Sequence, residues 1–467
     1  MLKLLKNFSY TVSSNLLNFI VIALVTLIIP KVIGVKEYGF WQLYIFYTNY
    51  VGVLHFGWID GMYLKYGGLD YDELDSSYFK SQFSYFIVFE SLVTVLIAAF
   101  GLIVDSGNNQ FVVVSVGLYL LFYNGRQFFL YILQDTDRIR EYAFNLILDR
   151  VVYVVWIVIC LAVGVRSFKL LVVGDVISKI ITLFIAIYSC RTIFRGKIQR
   201  LSVTIKEIYQ NVNVGIKLLV ANFASLLIVG IVRFGIKSTW GVTVFGKVSL
   251  TLSISNAMML FVTAISLVLF PTLRRINKSL LPGLYDNFRQ ILILMLFACM
   301  FLYFPLNFLI TRWLPNYQDS LKYLSFLFPM FIYEGKFELM VNTFMKTLRM
   351  ERKLLLVNLT ALATSVCVTA VNVFFVKNLN IIMLSIILIL WFRSNLGEIV
   401  ISSRLSLNVL RSIGVETLFV AIFICVTWFL SGLYAFAIFA VMFIVYGFTL
   451  RGRIHDSFDY VMNNLHA

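Results

Sequence analysis

The sequence predicts an all-α polytopic membrane protein, and three observations support that prediction. Of the 467 residues, 60% are hydrophobic and 13% are charged, against about 45–50% and about 25% in soluble domains. A membrane-spanning helix needs about 20 apolar residues, and lipid forces so apolar a chain into helices because it offers backbone groups no partner. Seven stretches near that length or longer contain no Asp, Glu, Lys or Arg: 7–30, 38–59, 106–125, 248–273, 290–311, 354–376 and 417–450.

The predicted spans number fourteen, with twelve spans and an interfacial helix as the alternative. The first span is predicted to be a retained helix, because it is long and another span follows at once. The last two spans share one apolar run broken at Ser431 and Gly432. The fourteen spans are 9–30, 40–62, 83–104, 111–132, 142–163, 170–190, 209–231, 243–269, 290–311, 322–345, 354–376, 380–402, 412–430 and 433–450.

Basic residues in the loops orient the chain in the membrane. Lysines and arginines collect in cytoplasmic loops, and one side of this topology holds 24 of them, with Arg289 and Arg393 among those counted, against 9 on the other. Both termini are therefore expected in the cytoplasm. Most of the formal net charge of +16 comes from these loop residues, which orient the chain. No nucleic-acid partner is therefore expected, and the expected partners include membrane lipids.

The chain is expected to form two six-helix lobes around a central cavity. The most basic connection, 191–208, lies near the middle of the chain, and a short match between 34–39 and 235–241 suggests an internal repeat, a common feature of transporters. The alternative explanation of this match is that the two segments are unrelated turns, each bounded by glycines. The predicted parts are an N-terminal lobe 1–190, a linker 191–208, a C-terminal lobe 209–402, and a C-terminal helix pair with tail 403–467.

The composition argues against a metal site and against an enzyme. Five cysteines lie scattered without paired spacing, and there are three histidines, so neither a metal centre nor a disulfide framework is predicted. The chain has no hydrophilic stretch long enough for a catalytic domain. A transporter without a bound cofactor is the expected class.

Six basic residues fall within the predicted spans, where ionisable groups usually face a bundle interior or a wet cavity. Lys217 has no acid within a turn and is the foremost candidate for contacting an anionic substrate. Asp175 and Lys179 are predicted to pair at i,i+4. Asp60, Lys247 and Glu398 lie near helix ends and are expected to reach the interface. The predicted cationic cavity comprises Lys217, Arg126, Arg150 and Lys179.

Acidic residues within spans suggest coupling to a proton or sodium gradient. Glu334 and Glu338 share a helical face at i,i+4 while Lys336 points away, and two carboxylates held in low dielectric repel each other. The alternative is that each makes a salt bridge to a nearby base. Glu90 is a candidate partner for Arg126 or Arg150, and Glu90 and Asp149 complete the set of candidate coupling residues. Most tyrosines of the second span suit packing or the lipid interface, and some could offer flat faces to sugar rings.

Several strings resemble bacterial polysaccharide repeat-unit flippases, which share a superfamily with multidrug-extrusion antiporters and the lipid II flippase. The similarity covers nearly the whole chain as scattered residues and hydropathy. The strings are GVKEYGFW at 34–41, HFGWIDG at 55–61, KYGG at 65–68, QDTDRI at 134–139, GKVSL at 246–250 and the segment 327–349 around Glu334 and Lys336.

The resemblance implies a protein of the bacterial cytoplasmic membrane that moves an undecaprenyl-diphosphate-linked oligosaccharide to the outer leaflet by alternating access. The same resemblance implies a role in O-antigen or capsule biosynthesis, with polysaccharide polymerase machinery as an expected partner. The lipid II flippase has basic residues in its first helices, whereas 7–30 here contains none, so an anion site must be built differently. The alternatives are a multidrug or cation antiporter of the same superfamily and a membrane-embedded polysaccharide polymerase.

Overall fold

The all-α polytopic fold is confirmed by a computed structural model, which describes residues 26–259, 262, 278–430 and 432–448. Within these ranges every regular element is a helix. Eight of the described helices are long and apolar enough to cross a membrane. Most of the first predicted span and the C-terminal tail lie outside the described residues, so the choice between fourteen and twelve spans stays a prediction.

The chain forms two compact units, Met1–Phe223 and Ala224–Ala467. The boundary between them falls within one helical segment, Leu201–Ala257, which is kinked at the non-helical Gly241. The four-part division proposed from the sequence stays a prediction. The helices of the first unit are α1 (Val35–Thr48), α2 (Trp58–Tyr66), α3 (Ser76–Val104), α4 (Gly107–Asp135), α5 (Ile139–Ala162), α6 (Phe168–Ser189) and the start of α7 (Leu201–Ala257).

The second unit contains the rest of α7 and two short helices, Gln318–Leu321 and Leu324–Leu327. Its other helices are α8 (Leu281–Cys299), α9 (Tyr303–Trp313), α10 (Met330–Lys336), α11 (Thr343–Thr347), α12 (Glu351–Val371), α13 (Leu379–Leu405), α14 (Leu410–Phe429) and α15 (Leu433–Phe448).

Side-chain caps explain where several helices begin. The Asp75 carboxylate accepts a 2.8 Å hydrogen bond from the Ser77 N–H at the start of α3. The Asn378 side chain accepts from the N–H groups of Asn380 and Ile381 at the start of α13. Such caps satisfy N–H groups that the first turn of a helix leaves unpaired.

The second predicted span, 40–62, is wrong as one continuous helix. Between α1 and α2 the chain forms a 3₁₀ turn over Val51–His55, and then Phe56 and Gly57 take φ values of 50° and 80°. Two consecutive left-handed residues cannot continue a right-handed helix. His55 Nδ1 accepts a 3.1 Å hydrogen bond from the Gly57 N–H, which closes the break locally.

The tenth predicted span, 322–345, is also interrupted. It begins as short helical pieces before α10, and a π-helix over Phe337–Asn342 separates α10 from α11. Pro329 has no N–H to donate to an earlier carbonyl oxygen, so the helical hydrogen-bond pattern is interrupted there. A π-helical segment widens the turn and is frequent at functional sites.

The two glycine-bounded turns behind the predicted repeat match each other better in a different register, and the repeat itself stays a prediction. The prediction matched 34–39 with 235–241, whereas the backbone matches Gly34 (φ 81°, ψ 162°) with Gly241 (φ 78°, ψ 178°). In this register GVKEYGFWQL at 34–43 aligns with GVTVFGKVSL at 241–250, with identical residues at four positions and an aromatic ring shared at a fifth. Tyr38 and Phe245 are both buried, so each copy opens a helix in the same way.

A close helix crossing holds the start of α7 within the first unit. A Cβ atom on Gly61 of α2 would lie 1.9 Å from the Asn211 carbonyl oxygen of α7, and one on Gly215 would lie 2.0 Å from the Gly57 carbonyl oxygen. Small residues allow membrane helices to approach this closely. The crossing therefore requires glycine at these positions.

Candidate functional site

The first unit contains a buried network of charges, here called the N-terminal ion network and comprising Arg126, Asp149, Asp175 and Lys179. Lys179 Nζ lies 2.7 Å from Asp149 Oδ1 and 2.9 Å from Asp175 Oδ1. Arg126 lies 3.6 Å from Asp149 Oδ2 and donates a 2.7 Å hydrogen bond to Asn145 Oδ1. The expected Asp175–Lys179 pair is present, and α4, α5 and α6 are tied together.

Hydroxyl groups complete the network. Tyr44 donates a 3.1 Å hydrogen bond to Asp175 Oδ2, and Ser178 donates to Asp149 Oδ1 at 3.0 Å. Two carboxylates therefore face two cations, and the network is neutral overall. Buried charges are tolerated in this form because each is paired and hydrogen-bonded.

Arg150 stands beside this network and is exposed, midway along α5. No described side chain forms an ion pair or hydrogen bond with its guanidinium. It lies within electrostatic range of Asp149, Tyr119 and Tyr123. The rings of Tyr119 and Tyr123 are stacked with centroids 5.3 Å apart. Arg150 is therefore a cation without an ion-pair partner among the described residues, close to a pair of stacked aromatic rings.

Lys217 lies on α7, and its side chain is exposed. The helix packs through a buried seam of Asn211, Gly215 and Leu219. Because an α-helix turns 100° per residue, Lys217 projects away from that seam. No described residue pairs with it. The structure thus separates the four predicted cations into two that are already paired, Arg126 and Lys179, and two that are exposed.

Glu90 on α3 does not pair with Arg126 or Arg150, contrary to the prediction. Its side chain is fully buried, and Oε2 accepts a 3.0 Å hydrogen bond from Asn124 Nδ2. The other oxygen, Oε1, has no hydrogen-bond partner among the described residues. Arg126 turns instead toward Asn145 and Asp149, which leaves Glu90 as a buried carboxyl that no cation of the described ranges approaches.

The second unit contains a closed arrangement of four charges, here called the C-terminal ion ring and comprising Arg289, Lys336, Glu398 and Glu416. Lys336 Nζ lies 2.7 Å from Glu398 Oε2 and 2.9 Å from Glu416 Oε2. Arg289 forms ion pairs with the other oxygens of both carboxylates. All four side chains are buried, so α8, α10, α13 and α14 share one neutral cluster.

Glu334 and Glu338 have different surroundings. Arg393 lies 3.2 Å from Glu334 Oε2 and places its guanidinium 3.7 Å from the centroid of the Phe337 ring. Glu338 accepts a 2.7 Å hydrogen bond from Asn342 Nδ2, and no described cation pairs with it. The salt-bridge alternative therefore holds for Glu334, and Glu338 is half-buried without a base.

The structure places several charged residues elsewhere than the sequence predicts. Arg289 and Arg393, counted as cytoplasmic loop charges, are buried within α8 and α13. Asp60 and Glu398, expected to reach the interface, are buried as well, while Lys247 forms an ion pair at 3.4 Å with the exposed Asp319. Glu416 was not singled out, although an acid within the apolar run 412–430 was a signal that could have found it.

No metal-binding arrangement of three His, Cys, Asp or Glu side chains occurs in the part of the chain that the structure describes. The five cysteines are free thiols there.

The fold is shared with transporters of the MOP superfamily. A multidrug resistance MATE family transporter of that superfamily, in an inward-facing conformation, superposes with a TM-score of 0.63 at 10% sequence identity, covering 83% of this chain and 94% of the other. Lipid II flippase MurJ, in an inward closed conformation, superposes with a TM-score of 0.61 at 12% identity, covering 96% and 100%.

Comparison with protein-family models and with curated proteins gives no match. At these levels of identity the structural likeness shows the fold. The class is therefore an all-α polytopic membrane protein with the MOP transporter fold, which agrees with the superfamily resemblance in the sequence.

Proposed function

We propose that this protein is a flippase that moves an undecaprenyl-diphosphate-linked oligosaccharide from the cytoplasmic leaflet to the outer leaflet of the bacterial cytoplasmic membrane. The observation that carries the proposal is Arg150, an exposed guanidinium with no described partner, midway along α5 and beside the stacked Tyr119 and Tyr123 rings. The substrate would serve O-antigen or capsule synthesis and pass to polymerase machinery.

The chemistry of these groups suits such a head group. A guanidinium binds phosphate oxygens through two parallel hydrogen bonds, and these strengthen where water is scarce. Aromatic faces pack against the apolar faces of sugar rings. Of the two stacked rings, the half-buried Tyr123 is assigned to sugar contact, whereas Tyr119 is buried and packs against it. The N-terminal ion network is neutral and holds α4, α5 and α6 together, so Arg150 supplies the net positive charge in this proposal.

Lys217 is the second cation in this proposal. It is exposed and unpaired within the described residues, and its helix leads from one compact unit into the other. Alternating access would move the head group while the lipid tail stays in the bilayer. We assign Lys217 to diphosphate contact during that movement.

Coupling to a proton or sodium gradient is assigned to Glu90 and Glu338, the two candidate acids that form no ion pair with a described base. A buried carboxyl without a neighbouring positive charge is costly when ionised. Binding a proton or a cation removes that cost, which makes such a group responsive to a gradient. Asp149 and Glu334 are paired with bases and act as positioning residues in this scheme.

A second candidate function, a multidrug or cation antiporter, is favoured by the same two acids. An acid buried without a base attracts a cationic substrate as readily as an inorganic ion. The two functions differ in what Arg150 does, since a cationic drug gains nothing from a guanidinium beside its site.

The test is transport by the purified full-length protein in liposomes. Arg150→Gln is expected to reduce translocation of a lipid-diphosphate oligosaccharide at least tenfold, and Arg150→Lys to retain part of it. Arg166→Gln, an exposed loop arginine, is the matched control. Efflux of cationic dyes by the wild type, with no effect of Arg150→Gln on lipid translocation, would replace the flippase by the antiporter.

A further inference from the structure

A large cleft in the second unit lies apart from both charge clusters. It has a volume of about 1030 Å³ and is formed by α9, α14 and the start of α15. Phe304, Phe308 and Phe436 supply much of its wall, and Trp428 lies at one side with its ring stacked on Phe326 at 4.2 Å between centroids. These aromatic side chains form an apolar wall suited to an acyl chain.

The cleft also carries positive charge. Arg312, at the end of α9, and Lys322, which follows the short helix Gln318–Leu321, both line it. Arg312 packs on the Phe308 ring at 4.1 Å from the centroid, and Lys322 lies 5.2 Å from the centroid of Tyr323. Among the described residues neither cation has an ion-pair or hydrogen-bond partner.

Within the described part of the chain, no carboxylate lines the cleft. The nearby Asp319 pairs with Lys247 at 3.4 Å, which leaves Arg312 and Lys322 unneutralised by any described acid. Asn307 and Thr311, which precede Arg312 on α9, also line the cleft and add polar groups. The cleft therefore combines an apolar wall with a cationic, hydrogen-bonding end.

We infer that this cleft binds an anionic glycerophospholipid, with an acyl chain along the phenylalanine wall and the phosphate at Arg312 and Lys322. The combination of apolar wall and two cations matches a lipid rather than a free phosphate, which has no apolar part to bury. A zwitterionic head group is disfavoured because its ammonium would find no carboxylate among the described lining residues. Under the orientation predicted from loop charges, the lipid belongs to the outer leaflet.

The inference rests on the cleft alone and not on the proposed function. Its test uses the quenching of tryptophan fluorescence by brominated lipids, measured on the full-length protein in vesicles. The Trp428 contribution is obtained by subtracting the signal of Trp428→Phe. Brominated phosphatidylglycerol is expected to quench this contribution at least threefold more strongly than brominated phosphatidylcholine at equal mole fraction.

Charge variants test the role of the cations. Arg312→Gln with Lys322→Gln should abolish the preference for phosphatidylglycerol, whereas Arg312→Lys with Lys322→Arg should keep it. The control, Arg166→Gln with Lys169→Gln, removes two exposed cations from a connection predicted on the same side of the membrane and should leave the preference unchanged.

Three outcomes would overturn the inference. Equal quenching by both lipids would show no anionic preference, and a preference that survives the double glutamine variant would place it elsewhere. Loss of the preference on adding millimolar inorganic phosphate would show a site for a free anion instead of a lipid. None of these outcomes affects the proposed role of Arg150 in translocation, which is tested separately.

Discussion

Lys179 Nζ lies 2.7 Å from Asp149 Oδ1 and thereby joins α6 to α5. The same ammonium bonds Asp175 on its own helix, while Arg126 on α4 approaches the other oxygen of Asp149. Three helices thus meet at Asp149. Since the side chains are buried, the network orients α5 and with it the exposed Arg150.

Replacing Lys179 by Met should destabilise the first unit strongly. The change leaves Asp149 and Asp175 with only Arg126 to balance them, and removing one partner of a buried ion pair costs about 3–5 kcal/mol. The free energy of unfolding in detergent, measured by chemical denaturation, reports the loss. Lys169→Met, an exposed lysine at the start of the same helix, should change it by less than about 0.5 kcal/mol.

A double variant separates charge balance from packing. Lys179→Met combined with Asp175→Asn restores neutrality, so it should recover at least half of the stability lost in the single variant. A double variant as unstable as the sum of its parts would mean that specific hydrogen bonds, and not the net charge, account for the cost.

Gly34→Ala and Gly241→Ala should each destabilise the protein by about 1–3 kcal/mol, because both glycines hold a backbone conformation that other residues rarely adopt. A Cβ atom at either position meets no atom within 4 Å, so the cost comes from the backbone. Gly414→Ala, in open space on the regular helix α14, should be neutral or slightly stabilising. Similar thermal midpoints for all three variants would contradict the repeat register.

Glu416→Gln should loosen α14. The change leaves Arg289 and Lys336 with Glu398 as their only carboxylate in the ring, and a buried excess charge is unfavourable. Hydrogen exchange of backbone amides in Leu410–Phe429 is expected to accelerate at least tenfold. Glu351→Gln serves as the control, because Glu351 is an exposed acid in the first turn of α12. Equal exchange rates in both variants would show that the C-terminal ion ring does not stabilise α14.

Gly61→Ala should open the crossing of α2 and α7. Its Cβ would lie 1.9 Å from the Asn211 carbonyl oxygen, so the backbones must separate. We expect a lower thermal midpoint together with slower substrate translocation. Gly52→Ala, whose nearest contact would be Tyr123 at 4.0 Å, should behave as the wild type. An unchanged midpoint for Gly61→Ala would show that α2 can shift freely.

Local features of the fold could be predicted from the sequence. Apolar runs of membrane length predicted the helices, because lipid admits few other backbone conformations. The pairing of Asp175 with Lys179 was also predictable, since residues four apart lie on one face of a helix. The breaks at Phe56 and at 337–342 were missed because hydropathy reports burial and carries no information about φ and ψ.

The sequence by itself determined the class of protein and placed some ionisable residues, such as Lys179 and Lys336, within the apolar spans. Only the tertiary structure decided how those residues pair, because a buried charge takes the partner that helix packing brings to it. Lys336 meets Glu416 across 80 residues and Arg289 meets Glu398 across 109. That selection left Arg150, Lys217, Glu90 and Glu338 without ion-pair partners among the described residues, and the proposed function depends on them.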